Sequence, residues 1–217
     1  MHVTWRTEWP HWLLLGLLLL GLAQAPAQRV PIHWNAAGEI DGFASKWLAL
    51  GLGVGIYLLF LVLPRLDPGR ANYAQFAGAY GVIRLAVLAW LVALLGAGAL
   101  GLSIAGLPHV LGGALFIVAG SVLGKIRPNW FVGVRTPWTL ASKRSWVRSH
   151  RLGGWLFLGW GLLELAAGLL RPALGLTVLI GGGVVVTVTL LVYSYLVWRA
   201  DPDKLPAVGT RPADGEP

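Results

Sequence analysis

The sequence predicts an all-α membrane protein, a bundle of six transmembrane helices with both termini in the cytoplasm. Three observations carry that prediction. The 217 residues are 56% hydrophobic and only 12% charged, against roughly 45–50% and about 25% in an ordinary soluble domain. Six apolar segments, 9–25, 47–63, 82–102, 107–123, 153–170 and 173–197, reach the about 17 to 25 residues needed to cross a hydrocarbon core roughly 30 Å thick. With the amino terminus inside, only Arg29, Lys46 and Arg171 of the 17 Lys and Arg fall outside, as the positive-inside rule requires. Tryptophans at or beyond segment ends, among them Trp9, Trp12, Trp47 and Trp155, fit an aromatic belt. Cysteine is absent, which excludes disulfides, thiolate metal sites and a Cys nucleophile.

The first segment ends in Ala23-Gln24-Ala25 and so also reads as a signal peptide. Its flank offers only Arg6, offset by Glu8, which favours a retained helix. The outer loop 31–46 holds Asn35, Gly38, Asp41 and Gly42, residues that bend the chain through Asx turns and positive φ; a turn-rich cap is expected. His33, Asn35, Glu39 and Asp41 match neither EF-hand nor zinc spacing, so no metal or other cofactor is expected. Arg84, at the inner end of the third segment, is expected to snorkel to the interface on its long stem, with pairing to Glu164 as the alternative. His109 opens the fourth segment and is expected to be interfacial. Tight turns at 103–106 and 171–172 make two helical hairpins. The layout divides into an N-terminal half, 1–106, a C-terminal half, 107–198, and a tail, 199–217, whose Pro, Gly, Asp and Glu content predicts disorder.

The net charge of +8 resides mainly on the inner loop. Lys125, Arg127, Arg135, Lys143, Arg144, Arg148 and Arg151 lie there without a single acid, interleaved with Trp130, Trp138 and Trp146. Such a loop suits anionic lipid headgroups, where each Lys or Arg is worth roughly 1 kcal/mol. Residues 129–135 read as extended. Thr136-Pro137 then reads as an N-cap followed by proline at the first helical position. A helix over 137–152 is expected to lie in the interface, with Arg144, Arg148 and Arg151 on one stripe and Trp138 and Trp146 as anchors. Direct nucleic-acid binding is not expected, because the membrane accounts for the basic footprint.

Glu164 lies within the fifth segment. An ionised carboxylate there costs at least roughly 2.5 kcal/mol and faces the bundle interior, either as a structural hydrogen-bond partner or as a functional group. His150 is two heptads earlier, about 21 Å along a continuous helix axis, and so cannot touch it.

The stretch 124–140, GKIRPNWFVGVRTPWTL, continuing to Trp146 and to Ser149-His150-Arg151-Leu152-Gly153-Gly154, resembles the signature of the SdpI family, membrane immunity proteins against a secreted toxin. The outer stretch 31–46 is similar to a domain of unknown function often found ahead of that signature. The resemblance implies a six-span bundle that protects its host from an antibacterial peptide and that, in the founding system, also signals toxin presence by holding a transcriptional repressor at the membrane. It places motif positions at Lys125, Asn129, Gly133, Arg135, Thr136, Pro137, Trp138, Trp146, His150 and Arg151 inside, and at Pro31, His33, Asn35, Gly38, Asp41 and Lys46 outside. Two departures stand out. Ser142-Lys143-Arg144 occupies a stretch where an acidic or Asn-like residue is expected, and Ile40 a position where proline is common.

Three functions follow as expectations. The first is a non-enzymatic immunity or signalling protein, in which Asn129, Arg135 and His150 form a polar cluster at the inner mouth and an anionic bilayer is the partner of the basic loop. The second is a proton- or cation-coupled transporter using Glu164. The third is a membrane-embedded enzyme with His150 as general base, which no catalytic spacing in the chain supports.

Overall fold

The structure, a computed structural model, describes residues 4–35, 40–102 and 105–206. Helices form along all six apolar segments: α1 Trp5–Gln24, α2 Lys46–Leu66, α3 Ala77–Ala99, α4 Leu107–Leu123, α6 Lys143–Leu170 and α7 Gly175–Arg199, with a single short turn α5 Pro137–Ala141 before α6. Among the described residues, four helices are both long and apolar enough to cross a membrane, over Lys46–Leu66, Arg70–Ala99, Lys143–Leu170 and Pro172–Arg199. Helix α4 is apolar but shorter, at 17 residues. Helix α1, 20 residues long, carries Arg6, Glu8 and His11 in its first two turns.

The outer loop folds as an antiparallel hairpin, β1 Arg29–Trp34 and β2 Ile40–Ser45, rather than as turns alone. Val30 pairs with Ala44 and Pro31 with Phe43, and the register slips at His33. The buried Val30, Pro31 and Ala44 explain the hairpin: it turns an apolar edge onto the bundle. Ser45 ends β2 and caps α2 by accepting the Leu48 N–H at 3.1 Å, so one residue switches the chain from strand to helix. Gly38 and Glu39 lie outside the described residues.

Glycine sets the central packing. Gly106, Gly113 and Gly120 recur every seven residues at and along α4, as do Gly154, Gly161 and Gly168 along α6, and seven residues is close to two helical turns. The two stripes meet antiparallel, Gly113 against Gly161 and Gly120 against Gly154. A methyl added at Gly113 would lie 2.6 Å from the Gly161 carbonyl oxygen, and one at Gly120 2.7 Å from that of Gly154. Backbones therefore touch directly, a geometry that small residues permit in lipid and that Cα–H···O contacts favour.

The break before α6 falls at Ser142, whose extended backbone ends α5 and whose hydroxyl accepts the Ser145 N–H at 2.9 Å. The expected interfacial helix over 137–152 is thus corrected. Arg144, Arg148 and Arg151 stand on the first turns of α6, which runs unbroken through Glu164 to Leu170. Ser142 donates to Asp201 at 2.5 Å and the Leu205 N–H reaches the Ala141 carbonyl at 3.0 Å, fastening the chain after α7 to α5. Residues 207–217 lie outside the described residues.

Two apolar clusters fill the bundle. One, around Leu18, Leu22, Val30 and Leu95, underlies the hairpin; the other, around Tyr73, Tyr80, Ile126 and Trp146, underlies the 124–142 loop. These define a hairpin end and a loop end.

Candidate functional site

At the loop end the motif is knotted by side chains bonded to backbone. Asn129 is buried and uses its whole amide: Nδ2 donates to the carbonyls of Arg127 at 2.8 Å and Val132 at 2.9 Å, and Oδ1 accepts from the N–H groups of Phe131 at 3.0 Å and Val132 at 2.7 Å. Arg135 donates to the Trp130 carbonyl. Gly133 takes φ of +108°, a left-handed value that glycine adopts freely, and it packs on His150 with no room for a side chain. His150 accepts the Val134 N–H on Nε2 at 3.0 Å and contacts the Trp146 carbonyl through Nδ1 at 2.8 Å. Those partners require neutral imidazole protonated on Nδ1.

The same knot is anchored outward. Thr136 accepts the Thr139 N–H at 3.1 Å, with Pro137 at the first helical position of α5, and donates to Ser194 of α7 at 3.0 Å. Trp146 Nε1 donates to the Ile126 carbonyl at 2.9 Å. Asp67, between α2 and α3, accepts from the Gly69 N–H at 2.6 Å, the Tyr73 hydroxyl at 2.9 Å and the Trp130 N–H at 3.0 Å. Sequence reading passed over Asp67, although Asp67-Pro68-Gly69 carries turn chemistry.

Several expectations change here. Trp146 is fully buried against His150, with ring centroids 4.1 Å apart, and is not an interfacial anchor. Trp138 is half-buried on Tyr195. Asn129 and Arg135 lie on the loop and His150 on α6, and each bonds backbone groups rather than one another. Both nitrogens of His150 are occupied and the ring is buried, so it offers no lone pair to a substrate and the general-base role falls. Lys125, Arg127, Arg135, Lys143, Arg144, Arg148 and Arg151 are all exposed.

The hairpin end differs. Glu164 is 1% exposed and meets His109 Nδ1 at 2.6 Å through Oε1. His109 is therefore not merely interfacial. The Gly113–Gly161 crossing lies close by in both helices and brings the first turn of α4 to the last turns of α6. A cavity of about 580 Å³ opens beside the pair, lined by His33, Trp34 and Asn35 of the hairpin region, by Trp90 of α3, by Gly112, Leu115 and Phe116 of α4, and by Leu176 and Leu179 of α7. Among the described residues, Glu164 Oε2 and Trp90 Nε1 are buried without a hydrogen-bond partner. On the hairpin, His33 Nδ1 meets Asp41 at 2.6 Å on an exposed face, Pro31 packs against Gly98 of α3, and Lys46 opens α2.

Arg84 neither snorkels nor pairs with Glu164. It is buried and holds Glu8 of α1 in a two-point contact, Nη1 to Oε1 at 3.1 Å and Nη2 to Oε2 at 2.6 Å. Glu8 lies just outside the apolar run 9–25 of the first segment, so hydropathy alone does not mark it as a buried acid.

Residues 125–196 match the model of the SdpI/YfhL protein family, and residues 12–58 that of a domain of unknown function, DUF1648. Over 125–196 the chain is therefore similar to the SdpI/YfhL protein family. No curated protein and no solved structure matches the chain. The SdpI/YfhL segment contains most of the loop-end knot, all of α6 with Glu164, and most of α7, while the DUF1648 segment contains the hairpin. Trp90, Arg84 and His109 belong to neither matched segment, so the hairpin-end cavity is assembled from both segments and from the chain between them.

Proposed function

We propose that this SdpI-like membrane protein crosses the cell membrane six times, with both termini cytoplasmic, and confers resistance to an antibacterial peptide or envelope stress. The observation that carries the reading is the SdpI/YfhL match over 125–196, preceded by the DUF1648 match over 12–58. The exposed Lys and Arg of the loop end support its placement on the cytoplasmic side, against anionic headgroups. The Glu8–Arg84 pair supports a retained α1, because cleavage after it would leave Arg84 as an uncompensated buried charge. In this reading the hairpin end meets the peptide, and the exposed basic residues, Arg135 among them, face the cytoplasmic partner, a transcriptional repressor by family resemblance.

The test is expression in a strain sensitive to the secreted peptide of the founding immunity system, with and without Arg135→Ala. Wild type is expected to restore growth and Arg135→Ala to signal poorly to the cytoplasmic partner. Unchanged killing of cells that contain the wild-type protein in their membranes removes the immunity reading for that toxin.

A further inference from the structure

A second cavity, about 280 Å³, lies between α6 and α7 and reaches the loop at residues 133–136. Phe157 and Trp160 of α6 and Val186 and Leu190 of α7 give it apolar walls. Along α7 its lining runs from Leu191, near the loop end, to Gly183, about 12 Å of helix at 1.5 Å per residue. At the far end Trp160 packs on Gly183 and donates from Nε1 to the Val178 carbonyl at 3.1 Å. Thr187 and Leu191 are exposed, so the cavity is a groove open on the flank of two helices long and apolar enough to span a membrane. Arg135 supplies the one charge among its lining residues, at the loop end, and is itself exposed. Its contact with the Trp130 carbonyl uses one of a guanidinium's five donors.

We propose that the groove holds one acyl chain of an anionic phospholipid whose phosphate rests on Arg135. A neighbouring helix does not fit, because a single turn about 10 Å across and 5.4 Å high takes about 400 Å³. An extended peptide in lipid leaves its backbone groups without partners. A free anion takes up Arg135 but leaves the apolar length of the groove unfilled. A zwitterionic lipid fills the groove but brings its own cation to the guanidinium. An anionic phospholipid meets both the charge and the apolar walls, with its headgroup at the interface and its tail running toward mid-membrane. The proposal goes beyond the immunity reading and rests only on α6 and α7 lying in lipid.

The experiment uses the purified full chain in phosphatidylcholine nanodiscs carrying trace phosphatidylglycerol or phosphatidylcholine, each with the same diazirine-bearing acyl chain. Irradiation is expected to label groove residues of α6 or α7 about fivefold more with the phosphatidylglycerol probe, the ratio to which one basic residue at an anionic surface converts. Arg135→Gln is expected to bring that ratio close to one at the groove, and Arg135→Lys to keep most of it. Gly183→Leu is expected to abolish groove labelling by both probes, because its first carbon meets Trp160 at an ordinary 3.5 Å and the rest enters the groove. Gly181→Leu, where nothing lies within 4 Å, is expected to change nothing and shows that α7 tolerates a leucine. Equal labelling by the two probes, labelling confined to other regions, or groove labelling that ignores Gly183→Leu overturns the proposal. A preference lost equally in Arg135→Lys and Arg135→Gln also overturns it, tracing the effect to loop structure. Excess glycerol phosphate is expected to leave labelling intact; suppression by it overturns the lipid and assigns Arg135 to a soluble phosphate. No toxin or cell enters the assay, so loss of protection in the growth test leaves its outcome untouched, and a negative labelling result leaves the growth test standing.

Discussion

At the loop end Asn129 makes four hydrogen bonds to its own loop, whereas at the hairpin end the equally buried Glu164 uses one oxygen on His109 and leaves the other unpaired. Within the loop-end motif 125–151, Ser149 Oγ is the only buried side-chain polar atom without a partner among the described residues. The motif conspicuous in the sequence therefore spends its buried polar atoms on holding shape, while its Lys and Arg side chains stay exposed. The quiet end of the chain keeps unsatisfied groups beside a cavity. Satisfied polar networks rigidify a fold; unsatisfied buried groups are rare and call for an explanation of their own.

The largest effect that bears on this contrast is expected at Arg84, which belongs to neither end. Arg84→Ala removes the two-point partner of the buried Glu8, leaving only the Thr7 hydroxyl and His11 near it, and is expected to cost about 3–5 kcal/mol, read as equilibrium unfolding in mixed detergent. Replacing both partners together, Glu8→Leu with Arg84→Leu, is expected to recover most of that loss; if it does not, the pair is more than a structural clasp. Next comes Asp67→Ala, which strips three donors of their acceptor and is expected to cost about 2–3 kcal/mol, with faster hydrogen exchange at the Trp130 amide. A smaller cost there means that the loop end is held by packing rather than by its polar knot.

Neighbouring glycines on α4 give the third test. Gly113→Ala places a methyl against the Gly161 backbone and is expected to cost about 1–3 kcal/mol. Gly112→Ala meets nothing within 4 Å and is expected to be neutral or to stabilise by up to about 1 kcal/mol. The smallest effect is expected for Glu164→Gln, below about 1 kcal/mol, because the amide oxygen still accepts from His109. Should Glu164→Gln instead cost as much as Asp67→Ala, Glu164 is a structural group and the contrast between the two ends collapses.

Much of the fold was legible because its causes are local. Apolar runs marked the helices, and Thr136-Pro137 marked the start of α5. The continuity of α6 was missed because basic residues at 143–151 resembled an interface helix, when a serine cap at Ser142 makes them the first turns of a bundle helix. The glycine seam was written in the sequence as two heptad stripes, a signal available to a search for period seven. Its antiparallel register was not, since nothing in either stripe says which glycine faces which.

The sequence by itself determined that the chain is helical, apolar and basic at one end, because hydropathy, capping and charge act within a few residues of the side chains that carry them. Only the tertiary structure decided which buried charges meet. Glu8 reaches Arg84 and His109 reaches Glu164 across 76 and 55 residues of chain. Those partners were chosen by the depth at which each helix pair crosses, and direct backbone contact at the glycine seam sets that depth for α4 against α6.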